Sequence, residues 1–406
     1  MREMKDSGVE WIGEIPKNWK ICRLKDYAHI CNGRDYSEVL DENGDYPVIG
    51  SGGQFAKACE PLYQKESVLL GRKGTIDKPL FVDYPFWTVD TMYYTEIKEN
   101  VSAKYFYYLC TQIEFDFYQY GSAVPSMTQR DLYNVNFPYP TLDEQRRIAN
   151  YLDRKCSQID TIIARQQEVI EKLKAYKLSV ITEAVTKGLN PDVPMKDSGV
   201  EWIGEIPEHW DFRRIKNCCL IVDCKNRTPD PDPDGEYIVV RTTCIRDGSF
   251  SYEGSYHTNA ENFKEWTAKG QPQHGDIFFT REAPMGEACL VPDTDNLCMG
   301  QRVMFFRPLD GSDPRYILYS IYGPLAREYI DSKNKGSTVG HLKLGQVASL
   351  PLFYCPPREQ SEIANYLDKR CGAIDKVVEK KAEIISRITD YKKSLIYEVV
   401  TGKKEV

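Results

Sequence analysis

No Walker A pattern, G-x-x-x-x-G-K-[ST], occurs anywhere in the 406 residues, which argues against ATP-driven work in this chain. There is no C-x-x-C pair either. The thirteen cysteines are scattered, and their densest group, Cys218, Cys219 and Cys224, matches no zinc-ligand spacing. They read as reduced thiols of a cytoplasmic protein. Five histidines, at 29, 209, 257, 274 and 341, form no ligand pair, so no metal site is expected. The D/N-P-P-Y/F loop of an adenine methyltransferase is missing. Its nearest approach, "NFPYP" at Asn136–Pro140, has Phe137 where the first proline is due, and reads as the chain's exit from a last strand. The acidic run "DPDPDGE" at Asp230–Glu236 lacks the E-x-K of a nuclease core. "GSGG" at Gly50–Gly53 reads as a loop. No stretch could span a bilayer, and the opening "MREMKDSGVEWIG" has no apolar run of signal-peptide length. With a net charge of −7, bulk electrostatics offers no case for nucleic acid. Any such case rests on local clusters, and no catalytic constellation is found.

What is present is duplication. "MKDSGVEWIGEIP" fills Met4–Pro16 and returns unchanged at Met195–Pro207, an offset of 191. A second block, "EQRRIANYLDRKCSQID" at Glu144–Asp160, returns as "EQSEIANYLDKRCGAID" at Glu359–Asp375, an offset of 215. "YKLSVITEAVTKG" from Tyr176 returns as "YKKSLIYEVVTGK" from Tyr391 at the same offset. The chain is therefore two copies of one plan, with 215 − 191 = 24 more residues between the repeated blocks of the second copy.

The block at offset 215 predicts a long helix. Thr141 and Glu144 form a capping box, and Pro357 suits the first turn of the second copy. Apolar residues recur by sevens: Leu152, Ile159, Leu173 and Val180, with Cys156, Ile163, Ile170 and Ala184. The second copy repeats them as Leu367, Ile374, Ile388 and Leu395, with Cys371, Val378, Ile385 and Val399. Gln166 with Lys381, and Lys177 with Lys392, interrupt both seams at matching places. That is expected if the helices pair with each other and use polar positions to fix alignment. Two amphipathic helices, each packing on its own domain, remain the alternative.

Between the repeated blocks identity collapses while character persists. "SVLLGRKGTIDKPLFV" and "DIFFTREAPMGEACLV" both read as strand, tight turn, strand. The turns carry Arg72 and Lys73 in one copy and Arg281 in the other. Each copy then has an aromatic helix and a small polar loop, "YGSAVPSMTQRDL" or "NKGSTVGHLKLGQV". Short loops rich in Thr, Ser, Gln, Lys and Arg suit phosphates and major-groove base edges. The candidate contacts are Arg72, Lys73, Thr75, Ser122, Ser126, Thr128 and Gln129 in the first copy. In the second they are Arg281, Lys335, Ser337, Thr338, His341 and Lys343.

The repeated "DSGVEWIGEIP", the helix openings "EQRRIANYLD" and "EQSEIANYLD", and the tyrosine-containing helix ends together resemble the specificity subunit of type I restriction–modification enzymes. The resemblance covers nearly the whole chain. It implies an α+β fold: two mixed α/β target-recognition domains joined by two long helices that form an antiparallel coiled coil, with an internal pseudo-two-fold repeat. On that plan residues 1–140 are the first recognition domain, 141–188 the first spacer helix and 189–194 a linker. Residues 195–356 are the second recognition domain and 357–406 the second helix. The resemblance further implies a non-catalytic subunit that binds double-stranded DNA at a bipartite target. Two modification subunits would carry S-adenosylmethionine and methylate adenine N6, and restriction subunits would use ATP and Mg to cleave unmodified DNA. A coiled-coil adaptor with two variable protein-binding domains is the competing reading.

Overall fold

The computed structural model describes residues 2–115, 125–309, 311–334 and 340–406. Both blocks at offset 215 fold as single helices, Leu142–Lys187 and Pro357–Val400. The first begins at its capping box, with the Thr141 hydroxyl 3.1 Å from the Glu144 carboxylate. It stops at Gly188, whose φ of +73° suits a glycine after a helix. At 1.5 Å per residue, 46 residues make a rod of about 69 Å. Among the described residues no helix is long and apolar enough to cross a membrane.

The chain forms two units that cut across its linear plan. Residues 1–167 and 382–406 make the first, and residues 168–381 the second. Each therefore contains half of both long helices. In the first unit Leu152, Cys156 and Ile159 share a core with Leu395, Ile396 and Val399. In the second, Val180, Ile181 and Ala184 share one with Ile363, Leu367 and Cys371. The polar interruptions at Lys177 and Lys392 have partners. Lys392 binds Asp160 at 2.7 Å in the first unit, and Lys177 binds Asp375 at 2.7 Å in the second. The numbers in both pairs add to 552, so in each unit the helices run antiparallel in one register. The remaining seam positions, Ile163, Ile170, Leu173, Ile374, Val378, Ile385 and Ile388, are all buried or half-buried.

Each unit builds the same layers on this pair. A four-stranded antiparallel sheet runs Ala28–Asn32, Met92–Ile97, Ser67–Gly71, Leu80–Val82 in the first unit. Its counterpart runs Cys219–Val222, Val303–Pro308, Ile277–Thr280, Ala288–Leu290. A smaller mixed sheet centres on Tyr46–Gly50 in the first unit and Tyr237–Val240 in the second. "NFPY" is indeed a last strand, Asn136–Tyr139, paired with Lys20–Arg23 immediately before the long helix.

Docking of sheet on helix is written twice. Tyr108 and Lys104 bind Asp153 in the first unit, and Tyr319 and Arg315 bind Asp368 in the second. The fully buried amides Gln145 and Gln360 each accept the backbone N–H that opens the aromatic helix, at Ser102 and Asp313. The identical opening block folds into identical hairpins, Met4 opposite Pro16 and Met195 opposite Pro207. The indoles that follow, Trp19 and Trp210, donate to Glu144 and Glu359 of the long helices.

Most of the extra length can be located. Tyr46 and Tyr237 hold equivalent places, 191 apart, whereas their partners Ala58 and Thr258 stand 200 apart. The nine added residues fall in the connection that holds the hairpin of Ile245–Arg246 and Ser249–Phe250. By the next strand Val68 and Ile277 are 209 apart, and a further nine residues have been added in the connection that holds the seven-residue helix Ala260–Trp266.

Candidate nucleic-acid interface

In the first unit the wholly buried strand Ser67–Gly71 ends in a turn that allows no side chain at Gly71. A Cβ there would meet the Thr75 carbonyl oxygen at 2.4 Å. Arg72 and Lys73 follow, and both donate their backbone N–H to the Thr91 carbonyl, at 2.9 and 3.2 Å. The turn is then zipped to the second predicted loop. Met127 N–H donates to the Arg72 carbonyl and Gly74 N–H to that of Pro125, both at 3.0 Å, with Lys73 bridged to Ser126. Thus Arg72, Lys73, Thr75 and Ser126, separated by some fifty residues in sequence, share one surface.

Their side chains differ in freedom. Lys73 is exposed. The Arg72 guanidinium lies over the Tyr93 ring, 5.8 Å from its centroid. Thr128 caps the short helix Gln129–Asn134, and Gln129 donates to Asn32 at 3.2 Å.

The second unit repeats the backbone and changes the chemistry. Arg281 N–H donates to the Arg302 carbonyl, and Leu342 N–H to that of Arg281, both at 3.0 Å. Glu282 is bridged to His341. Ser126 and His341 are 215 apart, as are Met127 and Leu342, so the cradles are equivalent.

Arg281, a candidate DNA contact, turns inward and is only 7% exposed. Its guanidinium holds both Asp223 oxygens at 2.9 and 3.1 Å and donates to the Leu342 carbonyl at 3.0 Å. Beside it Glu282 accepts from Arg302 at 2.8 Å and stands 3.0 Å from His341 Nδ1. Arg302 sits at φ +71°, a conformation that costs an L-residue energy and that its ion pair helps hold.

So the places held by Lys73, Thr91 and Ser126 in one unit are held by Glu282, Arg302 and His341 in the other. Sequence reasoning missed Asp223, Glu282 and Arg302. Glu282 adjoins Arg281 in the turn and was within reach of that reasoning, whereas nothing local points to Asp223, 58 residues upstream. Lys343 is exposed and begins the short helix Leu344–Ala348. Ser122, Lys335, Ser337 and Thr338 lie outside the described residues.

Comparison with known proteins adds a family. The model of the type I restriction modification DNA specificity domain matches twice, over residues 16–172 and 207–386. The chain is 21% identical to the type I restriction enzyme MjaVIII specificity subunit of Methanocaldococcus jannaschii, covering 97% of this chain and 94% of that protein. It is 17% identical to the EcoDI specificity subunit of Escherichia coli, covering 96% and 90%. A solved chain from work on complex assembly and conformational transition of the type I R-M system superposes with a TM-score of 0.67. Identity there is 14%, with 96% of this chain and 99% of that one covered.

Proposed function

Because the chain belongs to the type I restriction–modification DNA specificity family, we propose that its two cradles read the two halves of a split DNA target. It is a specificity subunit with two recognition domains. Residues 1–140 take one half-site and residues 195–356 the other, while the helices at 141–188 and 357–406 set the spacing. One observation carries this reading. One backbone hydrogen bond and one bridge join the two loops at equivalent places in both units, Met127 to Arg72 with Lys73 to Ser126 and Leu342 to Arg281 with Glu282 to His341, and the side chains they present are different. A constant frame with divergent contacts is what two different base sequences require, since backbone contacts position and side chains specify.

The chemistry belongs to partners on this reading. Two modification subunits bring S-adenosylmethionine and methylate adenine N6, and restriction subunits bring ATP and Mg. A count of two modification subunits suits the helices. In the first unit Ile162, Ile384 and Tyr391 are exposed apolar residues on the helix pair, and in the second their duplicates Val377, Val169 and Tyr176 are equally exposed. Each unit thus carries a matching set of exposed apolar residues on its helices, which suits one partner per unit.

The test is methylation mapping of cells that express this chain with its modification subunits. One split N6-methyladenine motif is expected, and Lys73→Ala should relax its first half alone. A continuous motif, or none, counts against the reading.

A further inference from the structure

The strand Gly53–Ala58 carries a ring where a solvent-facing position ordinarily carries a polar group: Phe55 is 54% exposed. It stands edge-on to Tyr36, centroids 5.3 Å apart at 87°, so one side is braced and the other open. Gly50, on the neighbouring strand, makes room for it, since a Cβ there would approach the ring to 3.1 Å. The turn that follows carries Ser51, whose hydroxyl lies 3.2 Å from where a Cβ on Gly74 would sit. Gly74 closes the turn that bears Lys73. Phe55, Ser51, Lys73 and Ser126 are therefore members of one continuous surface. The second unit carries a different ring here: Tyr252, 52% exposed, stands edge-on to Phe250 with centroids 5.0 Å apart. The corresponding connection there holds the hairpin, and Arg227 stands at the place of Tyr36, 191 residues on.

We propose that Phe55 is a specificity-determining residue of the first half-site and packs on the C5-methyl of a thymine in the major groove. The proposal rests on the DNA-reading function above. The thymine methyl is the apolar mark among major-groove base edges, and an apolar side chain is what matches it. The neighbours fit the same occupant, since an ammonium and two hydroxyls suit phosphates and polar base edges. A ring already held against Tyr36 loses little freedom on binding.

The experiment uses the full chain with its own modification subunits, on the target that methylation mapping defines. Each thymine of the first half-site is replaced in turn by deoxyuridine, which lacks only the methyl, and duplex binding is measured. One such replacement should weaken binding about fourfold, the worth of a single buried methyl-sized group. In Phe55→Ala that position should accept thymine and uracil equally, and the mapped motif should relax there. Phe55→Leu should keep part of the preference. Unchanged selectivity at the second half-site reports that both variants fold and assemble. A first half-site without a T·A pair, or full thymine preference in Phe55→Ala, overturns the proposal alone. A wild-type complex that marks no split motif overturns the DNA-reading function with it.

Discussion

Arg72 and Arg281 leave equivalent strand ends and meet different neighbours. Asp223 takes the charge of Arg281. The first unit has neutral Asn32 at that place, which accepts from Gln129 instead. Removing one member of a buried ion pair leaves the other uncompensated, at roughly 3–5 kcal/mol. Asp223 keeps some solvent contact, so Arg281→Ala should cost about 3 kcal/mol, at the low end of that range. Adding Asp223→Asn should recover part of the loss, because coupled neighbours are not additive. Urea denaturation of the single and double variants measures both. An undiminished midpoint in Arg281→Ala, with altered second-half recognition, would show that the guanidinium works on DNA rather than on the fold. The sequence marked the turn and its basic residue. The inward direction was hidden, because it depends on one carboxylate contributed by a distant strand end.

Among the elements, the long helices were the most legible. Their heptads survive duplication, and the seam lysines anticipated an alignment device whose partners, Asp160 and Asp375, only the antiparallel register supplies. The hairpin and helix in the lengthened connections of the second copy were invisible as such. Their places depend on strand pairings between segments some sixty residues apart, such as Ile238 with Leu297. The helix start offers a test at this scale. Burial pushes the Glu144 carboxyl up, but Trp19, Thr141 and Arg2 outweigh it and hold it below the usual carboxylate range. Folded protein therefore binds this proton less readily than unfolded chain does. The stabilisation is complete above the ordinary value of about 4.3 and is lost as pH falls through the lowered one. Thermal melts from pH 7 to pH 3 should show stability falling below about pH 4.5. Glu144→Gln should be less stable at pH 7 and should shed part of that acid dependence. An identical pH slope in the variant would remove Glu144 from the account.

For the molecule as a whole, duplication makes a prediction about half of it. Asp375 and Lys392 are the copies of Asp160 and Lys177, so a second molecule of residues 1–194 can supply both seam ion pairs that the missing half supplies. This fragment should dimerise through the Leu152–Ala184 seam. With modification subunits it should mark a symmetric target made of two inverted copies of the first half-site. Sedimentation decides the first point, and a monomer at micromolar concentration would sink the pairing. The shared helices also set a rule for genetics. Ala184 and Val185 belong to the first half of the chain by position, yet they lie in the core of the second unit. Leu395 and Val399, near the far end, lie in the core of the first. The linear map of lesions and the map of lost half-sites should therefore cross, with damage inherited at one end of the reading frame expressed in the domain encoded at the other.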